Sequence, residues 1–390
     1  MHSKDLVAAA SLITLLALAS IGCSSGTSSD SGSAEDLRTG GPDLAIEINN
    51  LAEWEGRLTV TADDRFVYWC EGLNVMRAPR DGSAHPTEIA TASSPLSSIA
   101  VDREGSLYYF DDGDLAHSGD DTQAVYKVEG TQGSAPHSTK IFVAPQVWDS
   151  SSRSRASGMV AFSNGSLYVT GRESRSGSPF VIWKVERDGR AQPVPGSAIA
   201  EGSGVGKVGQ LGATRSSVFW TFWDNKDHAS SGPIYCTRLD ADPFYREPRA
   251  LYKYGHQFTL FGETAYFFRS AGGFLAADGV TDQLYAGTCG ANEEPHAEGL
   301  DFYARNPWGA FATDGKMMYW PGMSTGARDS AKQVMAESLY PVHEPSAREK
   351  ELTRVALVLA VFDVSGPTIG WVEMRFGPGG KNFIRFTKKP

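Results

Sequence analysis

The sequence predicts an all-β chain assembled from one repeated four-stranded unit, and three observations predict it. Residues 58–90 read as four short β-prone runs separated by turn residues: Leu-Thr-Val-Thr, Phe-Val-Tyr-Trp, Val-Met-Arg-Ala-Pro and Thr-Glu-Ile-Ala. The same phrase returns, with changes, as far as the C-terminus, and helical periodicity is absent throughout. A lone sheet of four short strands cannot bury both of its faces, so each unit needs neighbours of its own kind.

Seven segments align on a short strand, a polar turn and an aromatic strand: residues 58–70, 98–110, 158–170, 210–222, 257–268, 309–320 and 358–372. Their turns carry Asn-Gly, Asp-Gly, Gly-Ser or Ser-Gly, the chemistry of tight hairpins. A third run follows each, as in Asn74-Val-Met-Arg, Ala124-Val-Tyr-Lys and Val181-Ile-Trp-Lys, and after most of these comes a turn and a fourth run such as Glu88-Ile89-Ala90. The aligned aromatics Tyr68, Tyr108, Tyr168, Phe219, Tyr266 and Tyr319 recur every 40 to 60 residues or so, the period of four-stranded propeller blades. The seventh segment stops after its third strand, whereas residues 43–50 alternate apolar and polar yet belong to no repeat. Pairing that orphan strand with the last blade closes the ring and removes an open sheet edge. The expectation is a β-propeller over residues 43–390, with seven four-stranded blades closed by the N-terminal strand. Six blades is the alternative, should the last segment, where Gly370 stands in place of the aromatic, not form a blade.

Ahead of this domain, residues 6–19 form an apolar run of signal-peptide length, too short to span a bilayer, followed by Ser20-Ile21-Gly22-Cys23. This resembles the lipobox of bacterial lipoproteins, with Ser20 where leucine is usual. The resemblance implies a signal peptide over residues 1–22 and a Cys23 acylated with chains such as palmitate; ordinary signal cleavage is the alternative. Residues 23–42 are Ser/Gly-rich and read as a flexible tether. In lipoproteins of this look, serine after the cysteine implies the outer membrane of the bacterial cell envelope. A net charge of -10 and a pI near 5.4, with no basic block, exclude a general nucleic-acid binder. A monomer is expected. Of the remaining cysteines, Cys70, Cys236 and Cys289, at most one pair can form; because they lie in different repeats, they read as small buried hydrophobes.

Tyr68-Trp69, Phe219-Trp220 and Tyr319-Trp320, each followed by a polar turn and a strand like Val-Met-Arg-Ala-Pro, give the chain a resemblance to bacterial extracytoplasmic propellers of the TolB-like and YWTD types. The Thr-Asp of the second type follows none of these pairs. The similarity spans nearly everything after residue 42 and implies a fold, not a function.

In a propeller the connections between strands two and three and those between blades open on one face, and here they are the long ones. That face is the expected site of binding. Blade 2 contributes the carboxylates Asp111, Asp112 and Asp114, which offer oxygens for Ca²⁺ but lack EF-hand spacing; no other cofactor is expected. Blade 4 contributes Trp223, Asp224 and His228, and the blade connections contribute Trp148, His256, Arg305 and Trp308. Aromatic, Arg and His side chains at one mouth suit a sugar, a peptide or a small acid. The Gly-Val-Gly-Lys-Val-Gly run at 204–209 fits a dinucleotide fingerprint only formally, since no helix follows. His-Glu-x-x-His, Gly-x-Ser-x-Gly and zinc-like cysteine spacings are absent from the sequence.

Two readings follow. The first is a membrane-tethered, non-catalytic binding or scaffold module for a protein, peptide or glycan. The second is a secreted propeller hydrolase or lyase of lactonase type, in which Asp112, Asp224, His228, His256 and Arg305 converge at the channel mouth, with or without Ca²⁺.

Overall fold

The structure, a computed structural model, describes residues 44–48, 60–94, 96, 98–111, 123–131, 135–143, 160–172, 180–199, 206–224, 232–240, 248–269, 281–290, 295–305, 310–323, 332–338, 350–355, 358–363, 367–373 and 382–389. Every regular element among them is a β-strand, and the strands pair antiparallel in chain order. Blade 1 consists of Val60–Ala62, Phe66–Glu71, Asn74–Pro79 and Thr87–Thr91. Blade 2 is Ser98–Val101, Leu107–Asp111, Ala124–Glu129 and His137–Val143; blade 3 is Val160–Ser163, Ser166–Arg172, Phe180–Val185 and Ala191–Pro193. Blade 6 is Ala312–Thr313, Met317–Met323, Lys332–Ser338 and Lys350–Val355.

Blades 4 and 5 depart from the expected set of separate sheets, forming a single seven-stranded sheet. Gly206–Ala213, Ser217–Asp224 and Gly232–Arg238 precede the long strand Arg249–Phe261, and Thr264–Arg269, Thr281–Thr288 and His296–Arg305 follow it. The first half of the long strand pairs with blade 4, from Cys236↔Arg249 to Gly232↔Gly255; its second half pairs with blade 5, from Gly255↔Arg269 to Phe261↔Thr264. Neither Pro nor Asn-Gly interrupts residues 249–261, and a register irregularity at Gly255 does the work of a blade connection.

Blade 7 closes the ring as the sequence predicts. Val358–Asp363, Thr368–Glu373 and Asn382–Lys388 receive Leu44–Ile48 as their fourth strand, in the register Leu44↔Phe386 to Ile48↔Asn382. Gly370 marks a true blade, because its missing side chain is replaced from the flanking strands. A Cβ there would meet the rings of Phe362 and Phe386, each 2.8 Å away, and those two rings pack edge to face.

The second strand of each blade carries the core. All the largest fully buried side chains lie on these strands, including Trp69, Trp220, Trp320 and Trp371. Successive residues face opposite neighbours. Tyr68 and Cys70 pack with Leu107 and Tyr109 of blade 2, while Val67 and Trp69 pack with Ile46, Val372 and Ile384 of blade 7. A sheet buried on both faces needs an unbroken apolar run, which is why Phe-Val-Tyr-Trp-Cys and Leu-Tyr-Tyr-Phe do not alternate. Among the described residues no helix is long and apolar enough to cross a membrane.

Candidate functional site

The two faces of the ring are built differently. On one, strands one and two of each blade meet in turns of a few residues, such as Asn164-Gly165, where φ is 48° and 79°. The polar groups of this face hold the blades in shape and to one another. Asp63 Oδ1 accepts hydrogen bonds from the backbone N–H groups of Arg65 (2.8 Å) and Phe66 (2.7 Å), and its Oδ2 accepts one from the Tyr68 hydroxyl (2.8 Å). Asp102 repeats the arrangement with Glu104 N, Ser106 N and the Tyr108 hydroxyl, as does Asp314 with Lys316 N, Met317 N and the Tyr319 hydroxyl. Burial and then the adjacent carboxylate push Tyr108 and Tyr319 far above the ordinary phenol range, so their hydroxyls remain donors.

Blade 4 has no acid in its own turn. Glu263 of blade 5 supplies one, accepting from Thr214 Oγ1 and Ser216 Oγ (2.6 Å each) and from the N–H groups of Arg215 and Ser216 (3.1 Å each). Similar reaches cross other seams. Arg80 of blade 1 donates to Thr368 Oγ1 of blade 7 at 2.6 Å and lies over the Phe386 ring. Arg187 of blade 3 pairs with Glu104 of blade 2 at 2.7 Å, and Lys389 of blade 7 pairs with Asp314 of blade 6 at 2.7 Å. Thr131 of blade 2 reaches the Tyr68 hydroxyl of blade 1. Thr237 of blade 4 donates to the Pro195 carbonyl of blade 3 at 2.8 Å. Between blades 5 and 6 the Phe261 ring lies against Gly315, whose φ is 83°.

At the opposite face the connections span residues 112–123 and 144–159 around blade 2, 173–179 in blade 3, 225–231 in blade 4, 270–280 in blade 5, 324–331 in blade 6 and 374–381 in blade 7. Most of the sequence-predicted site falls in or beside them. Cys23, Asp112, Asp114, Trp148, His228 and Trp308 lie outside the described residues. Trp223 and Asp224 end the second strand of blade 4, opposite Lys207 and Gly206. His256 lies where the long strand passes from blade 4 to blade 5, and Arg305 ends blade 5 opposite Thr281. The topology therefore sets Trp223, Asp224, His256 and Arg305 at the same face of two adjacent blades. Asp111 is 2% exposed and directed at the connection from blade 1, where its carboxylate accepts from Ser93 N (2.8 Å), Ser93 Oγ (3.0 Å) and Ser94 Oγ (2.8 Å). No three His, Cys, Asp or Glu side chains stand together in metal-binding fashion among the described residues.

Every described carboxylate with a resolved shift, from Asp81 to Asp314, lies below the ordinary range. Arg187 lowers Glu104, and Arg238 lowers Asp240. At Glu263 burial opposes the shift, but the Ser216 and Thr214 hydroxyls and the turn N–H groups outweigh it. Such groups are held as anions, whereas a general acid or base works near neutrality.

The structure corrects the reading of two cysteines. Cys236, on the third strand of blade 4, and Cys289, just after the third strand of blade 5, form a disulfide with Cα atoms 5.9 Å apart. The place equivalent to Cys236 in the next repeat is held by Ala286, three residues before Cys289, so the repeat alignment gave no signal for this pair. Cys70 remains the buried thiol expected; burial alone raises its pKa well beyond the usual range. The turn carboxylates were also unread, although Asp63 and Asp314 each stand five residues before a tyrosine.

No protein-family model matches the sequence, and no curated protein matches it. Among solved structures the chain is similar to the WD40 β-propeller domain of Doa1, with 9% identity, coverage of 89% of this chain and 96% of that one, and a TM-score of 0.51. It is also similar to a prolyl endopeptidase, with 14% identity, 84% coverage and a TM-score of 0.52, and spans 46% of that chain. A third likeness is to virginiamycin B lyase from Staphylococcus aureus, with 11% identity, coverage of 89% and 100%, and a TM-score of 0.46. At these identities the likeness shows the fold alone. The chain is a β-propeller of seven blades, closed by its N-terminal strand.

Proposed function

We propose that this chain is an extracytoplasmic propeller of the bacterial cell envelope. In this reading it is tethered to the outer membrane through an acylated Cys23 and acts as a non-catalytic binding module for a protein, peptide or glycan. The observation that carries the reading is the asymmetry of the ring. On the short-turn face the described groups Asp63, Asp102, Glu263, Asp314, Arg80 and Arg187 hold turns and seams, which favours recognition at the connections opposite. Trp148, Trp223, His228, His256, Arg305 and Trp308 belong to that side by sequence, and aromatic side chains with Arg and His are the usual means of holding sugars and peptides. Residues 6–23 support the tether, and the TolB-like pattern of the repeats supports an extracytoplasmic address.

The test uses the full chain. Cells fed an alkyne analogue of palmitate should label wild type and not Cys23→Ala, and only wild type should sediment with the outer membrane; labelling of neither protein would remove the anchor. Detergent-solubilised wild type is then applied to glycan and peptide arrays. Retention of one class, weakened at least tenfold by Trp148→Ala and by Trp308→Ala, supports the binding reading. Turnover of lactones or esters that is abolished by Asp224→Asn or His256→Ala would overturn it in favour of an enzyme.

A further inference from the structure

The seam between blades 4 and 5 is fastened at three radii. Between their first strands, the Gln210 amide acts as a short piece of strand: its Oε1 accepts from Phe258 N at 2.9 Å and its Nε2 donates to Phe258 O at 2.6 Å. At the turn face Glu263 holds the blade 4 turn, and further out Cys236 and Cys289 are covalently joined. The disulfide lies in an apolar cluster with Phe219, Ile234, Leu251, Phe258 and Phe267, and its two cysteines are 0% and 7% exposed. Before the bond forms, two thiols face each other across that seam. Once formed, it is shielded from soluble reductants, which reach it only when the seam opens.

We infer that Cys236–Cys289 is an oxidative lock, closed during maturation by thiol–disulfide exchange with a protein or small-molecule disulfide, and that the tightness of the blade 4–blade 5 seam depends on it. One cysteine thiolate attacks the oxidant's disulfide, forming a mixed disulfide and expelling one oxidant sulfur as a thiolate. The second cysteine thiolate then displaces the oxidant's other sulfur. Two protons leave the protein, its two thiols are oxidised by two electrons, and the oxidant departs as two thiols. Cys70 takes no part, being buried against blade 2. Persistence of such a bond belongs to oxidising compartments, so the inference rests on the extracytoplasmic address proposed above.

The full chain is acid-quenched in cells and labelled under denaturing conditions with a maleimide, with and without prior reduction. Among Cys70, Cys236 and Cys289, one label before reduction and three after, with Cys236 and Cys289 linked in the peptide map, support the lock. Three labels before reduction, or a link to Cys70, overturn it. Protease accessibility at the cell surface or in spheroplasts is read in parallel, so an exported but fully reduced chain sinks the lock and spares the address. A chain that is not exported sinks the address, and glutathione disulfide added to that purified chain then decides the lock: a Cys236–Cys289 link supports it, and two glutathione adducts without a link overturn it. Finally, amide exchange in Gly232–Arg238 and Thr281–Thr288 should quicken at least tenfold on reduction, with Phe66–Glu71 of blade 1 unchanged. Equal exchange before and after reduction would refute the dependence of the seam on the bond.

Discussion

Removal of the disulfide has a magnitude that follows from the chain alone. Cys236 and Cys289 are 53 residues apart, and closing a loop of that length in the unfolded chain removes entropy worth about 4 kcal/mol at 25 °C. Unfolding entropy near 2.1 cal/mol/K per residue, summed over a propeller of about 350 residues, converts this to a fall in Tm of roughly 5 °C. Cys236→Ala with Cys289→Ala is the cleaner perturbation, since serine would bury unpaired hydroxyls in an apolar cluster. Thermal melts by circular dichroism at pH 7 should place the double variant about 5 °C below the oxidised parent. Reductant should lower the parent toward the same value and leave the double variant where it is. A fall below about 1 °C would refute the loop-entropy argument, because the entropy removed from the unfolded chain would then be offset by strain in the folded state or by residual structure in the unfolded one.

Two further perturbations probe the other seams. Gly315→Ala places a Cβ 2.1 Å from Phe261 Cε1 at a φ of 83°, and should cost about 2 kcal/mol, of which Phe261→Ala in the same chain restores about half, since the ring clash goes and the backbone strain stays; urea titration of the four-protein cycle reads this, and no coupling would contradict the contact. Asp314 is held below the ordinary Asp range: burial raises its pKa, but the bond from Lys389 and the turn N–H groups lower it further. A depressed carboxylate stabilises the fold above its unfolded pKa, and that contribution is lost as pH falls through the folded value. Lys389→Met should therefore be less stable than the parent by about 0.5–1 kcal/mol at pH 7, and the difference should vanish in acid below the carboxylate range; a gap that persists in acid would mean the lysine acts through its stem over Tyr319 instead.

Much of the fold was legible because the aromatic strand of each blade is buried between two neighbours, which demands an unbroken apolar run that survives the divergence of everything around it. The closing strand was legible for a different reason: residues 44–48 alternate, so they were half-buried, yet they had no partner in sequence. The sharing of Arg249–Phe261 by two blades was not legible, since a strand that continues through a bulge carries no turn residue to announce either reading. Nor was the role of Glu263, whose Gly-Glu turn looks like an ordinary hairpin while its carboxylate serves residues 47 to 49 positions earlier. Pairing between repeats is a tertiary fact, and local pattern does not encode it. The candidate site was legible only as a face, because its residues come from connections whose lengths, not their motifs, distinguish them.

That division of labour between faces has a physical origin. Apart from the blade 4–blade 5 seam, with its disulfide and shared strand, the described blades are joined covalently only along the chain, so the seams are held by side chains, and the short turns bring polar groups of neighbouring blades within hydrogen-bond reach. Asp63, Asp102 and Asp314 first fix their own turns and tyrosines, and Asp314 then offers its second oxygen to Lys389 of the next blade. Blade 4 lacks the acid, and Glu263 of the next blade supplies it. Changing these groups for recognition would loosen the ring. Substitutions that alter binding without altering Tm should therefore cluster in residues 112–123, 144–159, 225–231 and 270–280, and those that alter Tm first should cluster in the short turns. A binding-defective set drawn mainly from Asp63, Glu104, Glu263 and Asp314, in chains that melt like the parent, would reverse the assignment of the two faces.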